Sequence, residues 1–137
     1  MQPPLARLQL RLACAELIAK QGHLEPTGQA KITPAFNLPS AYVLHTVGPI
    51  ISGALSEKDG ELLASCYRSC LALAQQHSIE SVAFCCISTS EFRFPNQPAA
   101  EIAVRTVKAF LADNPQMKVV FNVFKDVDLG IYRALLE

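Results

Sequence analysis

An unbroken apolar run covers residues 82–87, and a polar and aromatic loop that ends at Pro95 follows it at once. A run this short, rich in Val, Phe and Ile, is typical of a strand buried on both faces, as in parallel sheets. An amphipathic helix is predicted over residues 98–111, with Asn96 as its candidate N-cap. The pattern therefore predicts a buried strand, a loop and a helix start in direct succession.

Hydrophobic periodicity places the other elements as well. They are helices over residues 5–21 and 56–77, a short extended piece over 29–33, and strands over 41–47 and 118–124. Ser56 and Asp59 have the spacing of a capping box. A last short helix follows residue 124, with Asp126 or Asp128 as its cap. Strands separated by helices predict an α/β fold with right-handed crossovers and a largely parallel sheet.

Length and charge narrow the class of protein. The chain has 137 residues, which predicts one domain over residues 1–137. Its 12 basic and 12 acidic residues cancel, so no net field gathers nucleic acid or an anionic membrane. No apolar run approaches the ~20 residues of a membrane span, and the first residues lack a signal-peptide pattern. We therefore expect a cytoplasmic protein with free thiols and neither nucleic acid nor membrane as partner.

The loop after residue 87 is the candidate ligand site. In open α/β sheets ligands bind beyond the carboxyl ends of strands, and helix N-termini favour anions. Ser88, Thr89 and Ser90 offer hydroxyls and backbone N–H groups there, and Phe92 and Phe94 offer flat faces. A ligand with phosphate and an aromatic or sugar part fits these groups. A plain connection between strand and helix is the alternative interpretation.

Candidate metal ligands do not form a set. His45 lies inside a predicted strand and is interpreted as a hydrogen-bonded packing residue. Cys66 and Cys70 share one helix face, but their helix offers no His or further Cys to complete a tetrahedral site. Cys85 and Cys86 are adjacent and point to opposite faces of a strand. The sequence predicts no metal site.

Four segments, in order, resemble one known family. They begin at Gly28 (Gly-Gln-Ala-Lys-Ile-Thr), Asn37 (Asn-Leu-Pro, continuing to Gly-Pro49), Ser81 (Ser-Val-Ala-Phe-Cys-Cys-Ile-Ser-Thr-Ser-Glu-Phe-Arg-Phe-Pro) and Val119 (Val-Val-Phe-Asn-Val-Phe). They resemble the second part of a macrodomain, a family that binds ADP-ribose and in several members removes it from proteins. The resemblance implies an α/β fold with three α-β-α layers. The Cys85-Cys86 pair and its loop look closest to the zinc-dependent microbial branch, which occurs beside a sirtuin-type ADP-ribosyltransferase and a lipoyl-carrier protein.

The resemblance also assigns roles to residues. Phe124 corresponds to the aromatic that lies on the adenine, with Asp126 close by. Ser90 and Arg93 stand where the family has glycines, so backbone strain is expected at Ser90 if its φ is positive. An arginine at 93 could reach a phosphate. The loop that wraps the diphosphate and distal ribose would consist of Ile87, Ser88, Thr89, Ser90, Glu91, Phe92, Arg93 and Phe94.

The resemblance further implies a partial macrodomain, truncated at the N-terminus and lacking the first strands of the mixed sheet. The family's Asn-Ala-Ala-Asn motif, its adenine-reading Asp and its zinc-ligand loop are not in this sequence. The missing strand is expected between the strands at 82–87 and 119–124, which would then pair directly or leave edges for oligomerisation. The expected partner is ADP-ribose or an ADP-ribosylated protein, such as a lipoyl-carrier protein, and no zinc is expected to bind. Hydrolase activity is therefore expected to be weak, with a non-catalytic binding module or an inactive fragment as alternatives.

Overall fold

The computed structural model describes residues 26–35, 41–89 and 92–137. The helix predicted over residues 5–21 lies outside the described residues. The predicted alternation of strands and helices is confirmed in the rest of the chain. In chain order the elements are β1 (Ala30–Pro34), β2 (Tyr42–Thr46), α1 (Glu57–Gln76), β3 (Ser81–Phe84), α2 (Asn96–Asp113), β4 (Lys118–Phe121) and α3 (Asp126–Leu136).

The described strands form two separate pairs. β1 and β2 pair antiparallel, and β3 and β4 pair parallel in a register that sets Ser81 opposite Lys118 and Phe84 opposite Phe121. Direct pairing of the last two strands, one of the two expected outcomes, is confirmed. Backbone hydrogen bonds join the two strands in parallel. Among the described strands, β2 and β3 line a common groove but do not pair with each other.

β3 differs from its prediction in length and burial. It ends at Phe84 rather than continuing to residue 87, and Cys85 and Cys86 follow in irregular backbone. Val82 and Phe84 are buried, whereas Ser81 and Ala83 are exposed. The prediction of a strand buried on both faces was wrong because the described helices contribute to a core on one face only.

That core gathers side chains from the three helices of the described residues. The ring of Tyr67 in α1 meets Phe84 edge-on with 4.9 Å between ring centroids. Phe121 in β4 lies 5.0 Å from Tyr132 of α3, again between ring centroids. Val107 of α2 belongs to the same cluster. Aromatic pairs of this kind contribute about 0.5–1.5 kcal/mol beyond their buried area, so one face of β3 and β4 is well stabilised.

α1 begins as the sequence predicts. The backbone N–H of Asp59 donates to Ser56 Oγ at 3.2 Å, and the N–H of Ser56 donates to Asp59 Oδ2 at 3.0 Å. This capping box satisfies two N–H groups that the first turn leaves unpaired. The buried stripe of α1 is Leu63, Ala64, Cys66, Tyr67, Cys70, Leu71 and Ala74.

The other two predicted caps were wrong. Asn96 lies inside α2, Pro95 occupies the N-cap position, and no side chain caps the helix. α3 is preceded by Lys125 as N-cap, so neither Asp126 nor Asp128 has that role. Instead, Asn96 Nδ2 donates to Asp128 Oδ1 at 2.6 Å. The side chains are used for a long-range bond that ties the start of α2 to α3, which a local sequence pattern does not reveal.

No helix in the described part of the chain is long and apolar enough to cross a membrane.

Candidate functional site

The loop after β3 folds back on itself. The N–H of Phe94 donates to the C=O of Ser88 at 2.8 Å, which closes the loop, and the C=O of Phe92 accepts from the N–H of Ile51 at 2.8 Å. Ser90 and Glu91 lie outside the described residues. The segment is therefore curled at the carboxyl end of β3 rather than extended, and this is the geometry that concave anion sites require.

Two residues of this loop have a left-handed backbone. Ser88 has φ 66° and Arg93 has φ 64°. A side chain in this region costs roughly 1–2 kcal/mol relative to right-handed backbone. Arg93 stands where the resemblance places a glycine. Its backbone keeps the left-handed conformation that glycine adopts easily, although the residue is an arginine. Strained backbone of this kind concentrates at ligand sites, because the surrounding structure must hold it.

Gly48, after β2, sets how closely the loop approaches. A Cβ added at Gly48 would lie within van der Waals overlap of Ser88 Oγ and 2.8 Å from Ile87 Cγ2. Ser88 Oγ is buried and has no hydrogen-bond partner in the described part of the chain. A buried hydroxyl without a partner costs about 1–3 kcal/mol. The backbone of Gly48 and the side chain of Ser88 are thus in close contact. The hydroxyl that Ser88 brings to this contact has no hydrogen-bond partner among the described residues.

The two loop aromatics have different environments. Phe94 is 1% exposed and belongs to the core, so its side chain anchors the loop. Phe92 is half-buried and lines a groove between β2 and β3. Of these two rings, Phe92 is the one placed to meet a ligand.

The groove between β2 and β3 has a volume of about 1300 Å³ and is open to solvent. Its walls are the two strands, and Ile87, Ser88 and Phe92 lie at the end where the loop begins. Thr89 does not line it and instead donates through Oγ1 to the C=O of Cys86 at 3.3 Å. The structure thus brings three of the predicted loop residues to one end of a single cavity.

Phe124 and Asp126 lie apart from that cavity. Phe124 is 86% exposed just after β4, and Asp126 is exposed in the first turn of α3. Neither lines the groove. An exposed ring is free to stack on a base, and adenine contact by Phe124 stays a prediction.

A polar cluster behind the loop escaped the sequence analysis. The hydroxyl of Tyr67 lies beside the backbone of Ile87 and the side chain of Tyr132. Burial raises the pKa of both tyrosines far above the ordinary value. Burial, and then the nearby Asp128 carboxylate, raises the pKa of the Cys86 thiol, which therefore stays protonated and is a poor nucleophile. The cluster supports the loop from behind, and only the apolar spacing of Tyr67 was visible in the sequence.

Metal ligation finds no support in residues 26–35, 41–89 and 92–137, where no group of three or more His, Cys, Asp or Glu residues could hold an ion. His45 interacts with Thr33 Oγ1 at 2.9 Å through Nε2, and burial lowers its pKa. Burial also raises the pKa of Cys70 to about 12. The described residues therefore do not fit a zinc ion.

The family model for the Macro domain matches residues 6–103. The chain belongs to the Macro domain family. Its structure superimposes on the Oceanobacillus iheyensis macrodomain with ADP at a TM-score of 0.87 and 38% identity, over 93% of this chain and 68% of that one. A Trypanosoma brucei macrodomain in complex with ADP-ribose matches at a TM-score of 0.73 and 33% identity, over 82% and 47% of the two chains. The fold is therefore the macrodomain fold, in which helices and sheet are mixed as in a three-layer α/β protein.

Curated relatives point the same way. A protein-ADP-ribose hydrolase of Treponema medium is 60% identical over 133 residues, which are 96% of this chain and 51% of the relative. A protein-ADP-ribose hydrolase of Staphylococcus aureus strain MSSA476 is 56% identical over 130 residues, or 93% and 49% of the two chains. The chain thus spans about half the length of the curated relatives it matches.

Proposed function

We propose that this macrodomain recognises ADP-ribose and that its loop from Ser88 to Phe94 holds the diphosphate. The observation that carries the proposal is the closed loop at the carboxyl end of β3, with left-handed backbone at Ser88 and Arg93. Solved macrodomains that match most of the chain include ones with ADP and with ADP-ribose. Backbone N–H groups in such a turn stabilise an anion without any net charge on the protein.

The proposed reaction is removal of mono-ADP-ribose from a modified protein by cleavage at the distal ribose. Two relatives are named protein-ADP-ribose hydrolases, and this chain spans half of each. We propose that the chain alone performs the reaction weakly, because its sequence lacks the Asn-Ala-Ala-Asn motif and the described residues offer no metal cluster. An ADP-ribosylated lipoyl-carrier protein is the proposed substrate, and a cytoplasmic location stays a prediction that cell fractionation would test.

A second candidate function is a binding module without catalysis. The observation that favours it is the chemistry of the described thiols. Burial keeps Cys70 and Cys86 protonated near neutral pH, so neither supplies a nucleophile. In this alternative the chain binds ADP-ribose, and another part of a longer protein or a separate protein cleaves it.

Calorimetric titration tests recognition. We expect ADP-ribose to bind with a dissociation constant weaker than ~0.1 mM, because several kcal/mol of contacts are missing. ADP should bind within about ten-fold of ADP-ribose, and adenosine, which has no phosphate, should not bind. Equal binding of adenosine and ADP would contradict a diphosphate site.

A turnover assay separates the two functions. Mono-ADP-ribosylated lipoyl-carrier protein is incubated with the chain, with and without zinc, beside the full-length Treponema relative. Slow or absent release by this chain, together with measurable ADP-ribose binding, supports the proposal. Release as fast as that of the relative would contradict the predicted impairment.

A further inference from the structure

A hydrogen bond between two side chains joins the start of α2 to the start of α3. Asn96 Nδ2 donates to Asp128 Oδ1 at 2.6 Å, across 32 positions of the chain. The N-cap residues of the two helices, Pro95 and Lys125, make no side-chain hydrogen bond to the helix that they precede. The bond therefore connects two helix starts that their own N-cap side chains leave open.

Asp128 is buried although it carries a carboxylate. Its exposure is 5%, and it shares the buried face of α3 with Tyr132. The macrodipole of α3 favours negative charge in its first turn, where Asp126 also lies. Asp126 stays exposed, so the dipole alone does not require Asp128 to be buried beside Asn96. Since taking a charge out of water is costly, this contact calls for a further explanation.

The proposed diphosphate loop lies at one end of this bond. The N–H of Phe94 closes the loop on the C=O of Ser88 at 2.8 Å, and Asn96 follows two residues later. The ring of Phe94 is 1% exposed in the core. Pro95, whose ring restricts its φ, which is −57° here, is the one residue between them. The side chain of Asn96 is therefore attached to the loop through a short and restricted stretch of chain.

The segment that carries Phe124 lies at the other end of the bond. The N–H of Asn122 donates to the C=O of Phe84 at 2.7 Å, and residues 123–125 run from there to the start of α3. Phe124 is 86% exposed, so contacts of its own ring do little to fix its position. The position of Phe124 therefore depends on β4 at one end and on the start of α3, which Asp128 ties to α2, at the other.

We propose that Asp128 is a positioning residue, which holds the adenine end of the ligand site at a fixed distance from the diphosphate end. The inference rests on the proposed recognition of ADP-ribose, and it adds a residue that acts through α2 and α3 without touching the ligand. A ligand that joins two subsites gains affinity only if their spacing matches its own. Loss of the bond should therefore weaken a nucleotide with both base and diphosphate, and spare a ligand that occupies the loop alone.

A matched pair of variants tests this difference between ligands. Asn96→Ala breaks the bond without changing the net charge. Its control is Gln97→Ala, because Gln97 has the same amide group one residue later and bonds to Glu101 within α2. NMR titration should show about ten-fold weaker binding of ADP to Asn96→Ala, with binding of inorganic pyrophosphate unchanged. Gln97→Ala should bind both as the wild type does, whereas a general loss of structure would weaken both ligands together.

An exchange of the two side chains tests the bond itself. The double variant Asn96→Asp with Asp128→Asn has the net charge of the wild type and exchanges donor and acceptor. It should bind ADP within about two-fold of the wild type. If circular dichroism shows that Asn96→Ala does not fold, Asp128→Ala takes its place, because it removes the buried carboxylate instead of leaving it unpaired.

Amide hydrogen exchange without nucleotide tests the link to α3 independently of any ligand. The N–H of Leu129 donates to the C=O of Lys125 at 3.0 Å in the first turn of α3. We expect its exchange to accelerate about ten-fold in Asn96→Ala, because the start of the helix opens more often. The amide of Asn122, which is bonded to β3, should change far less.

Four results would overturn this inference alone. They are equal weakening of ADP and pyrophosphate by Asn96→Ala, no weakening of either, an exchanged pair that binds ADP as weakly as Asn96→Ala, and unchanged exchange at Leu129. Failure of the wild-type chain to bind both ADP and pyrophosphate is a different result. It would overturn the proposed recognition of ADP-ribose, and this inference with it.

Discussion

The two sides of β3 differ in burial and in strand pairing. On one side, its backbone pairs with β4, and Val82 and Phe84 pack into the core beneath the helices. On the other side, Ser81 and Ala83 are exposed, and both residues line an open groove. The first side therefore stabilises the fold, while the second side, with the loop at its end, is where we propose that ADP-ribose binds.

The largest expected effect is a difference in the free energy of unfolding between variants on the two sides of β3. Phe84→Ala should lower the free energy of unfolding by about 3–5 kcal/mol, because it removes a buried ring that contacts Tyr67. Ala83→Val, one residue earlier on the exposed side, should change it by no more than about 0.5 kcal/mol. Urea denaturation measures both. Equal losses would show that the groove side is buried as well.

The next effect concerns the closeness of the loop to β2. Gly48→Ala should cost about 1–3 kcal/mol, because the new methyl group overlaps Ser88 and Ile87. It should also weaken ADP-ribose binding by at least ten-fold as the loop shifts.

The control for this variant is Gly130→Ala in α3, where an added Cβ meets nothing within 4 Å. It should stabilise the protein by roughly 0.5–1 kcal/mol and leave binding unchanged. Adding Ser88→Gly to Gly48→Ala should restore part of the lost stability, since it removes the clashing hydroxyl while the contact with Ile87 Cγ2 remains. A double variant as unstable as Gly48→Ala alone would refute this contact as the cause.

A smaller effect tests the strained backbone of the loop. Arg93→Gly should raise the free energy of unfolding by about 1 kcal/mol, because φ 64° suits glycine. If the guanidinium contacts a phosphate, the same variant should weaken ADP-ribose binding while adenosine still fails to bind. Thermal unfolding with and without ADP-ribose separates the two contributions. A destabilised variant would contradict the assigned strain.

The smallest effect concerns the pH dependence of stability. It involves His45 in β2, which lies away from the end of the groove where the loop begins. Burial lowers the pKa of His45 below 6.5, so its stabilising contribution is complete above that pH and is lost as the pH falls through the folded-state pKa. His45→Gln should flatten the dependence of stability on pH between about 7 and 5. Urea denaturation at both pH values measures it. An unchanged slope would exclude His45 as the titrating group.

Local patterns predicted the elements of this fold well. The periodicity of α1 and its capping box from Ser56 to Asp59 needed no tertiary information. The closed loop after β3 was also predictable, because Pro95 and the adjacent helix restrict where the chain can go. In each case neighbours in sequence decide the structure.

Long-range pairing was not predictable in the same way. The partner of Asn96 is Asp128 in another helix, and the hydroxyl of Tyr67 meets the backbone of Ile87. The direct pairing of β3 with β4 was only one of two expected outcomes, because a pattern of residues does not state which strands are neighbours. Phe94 looked like a ligand contact and lies in the core for the same reason.

The most direct test of the account is a titration of ¹⁵N-labelled protein with ADP-ribose, followed by amide chemical shifts. We predict that the amides of Ser88, Thr89, Phe92 and Arg93 shift most, since their backbone would enclose the proposed diphosphate. Residues of α1 far from the loop, such as Gln76, should not move. Shifts that avoid these four amides at millimolar ADP-ribose, or no shifts at all, would contradict it.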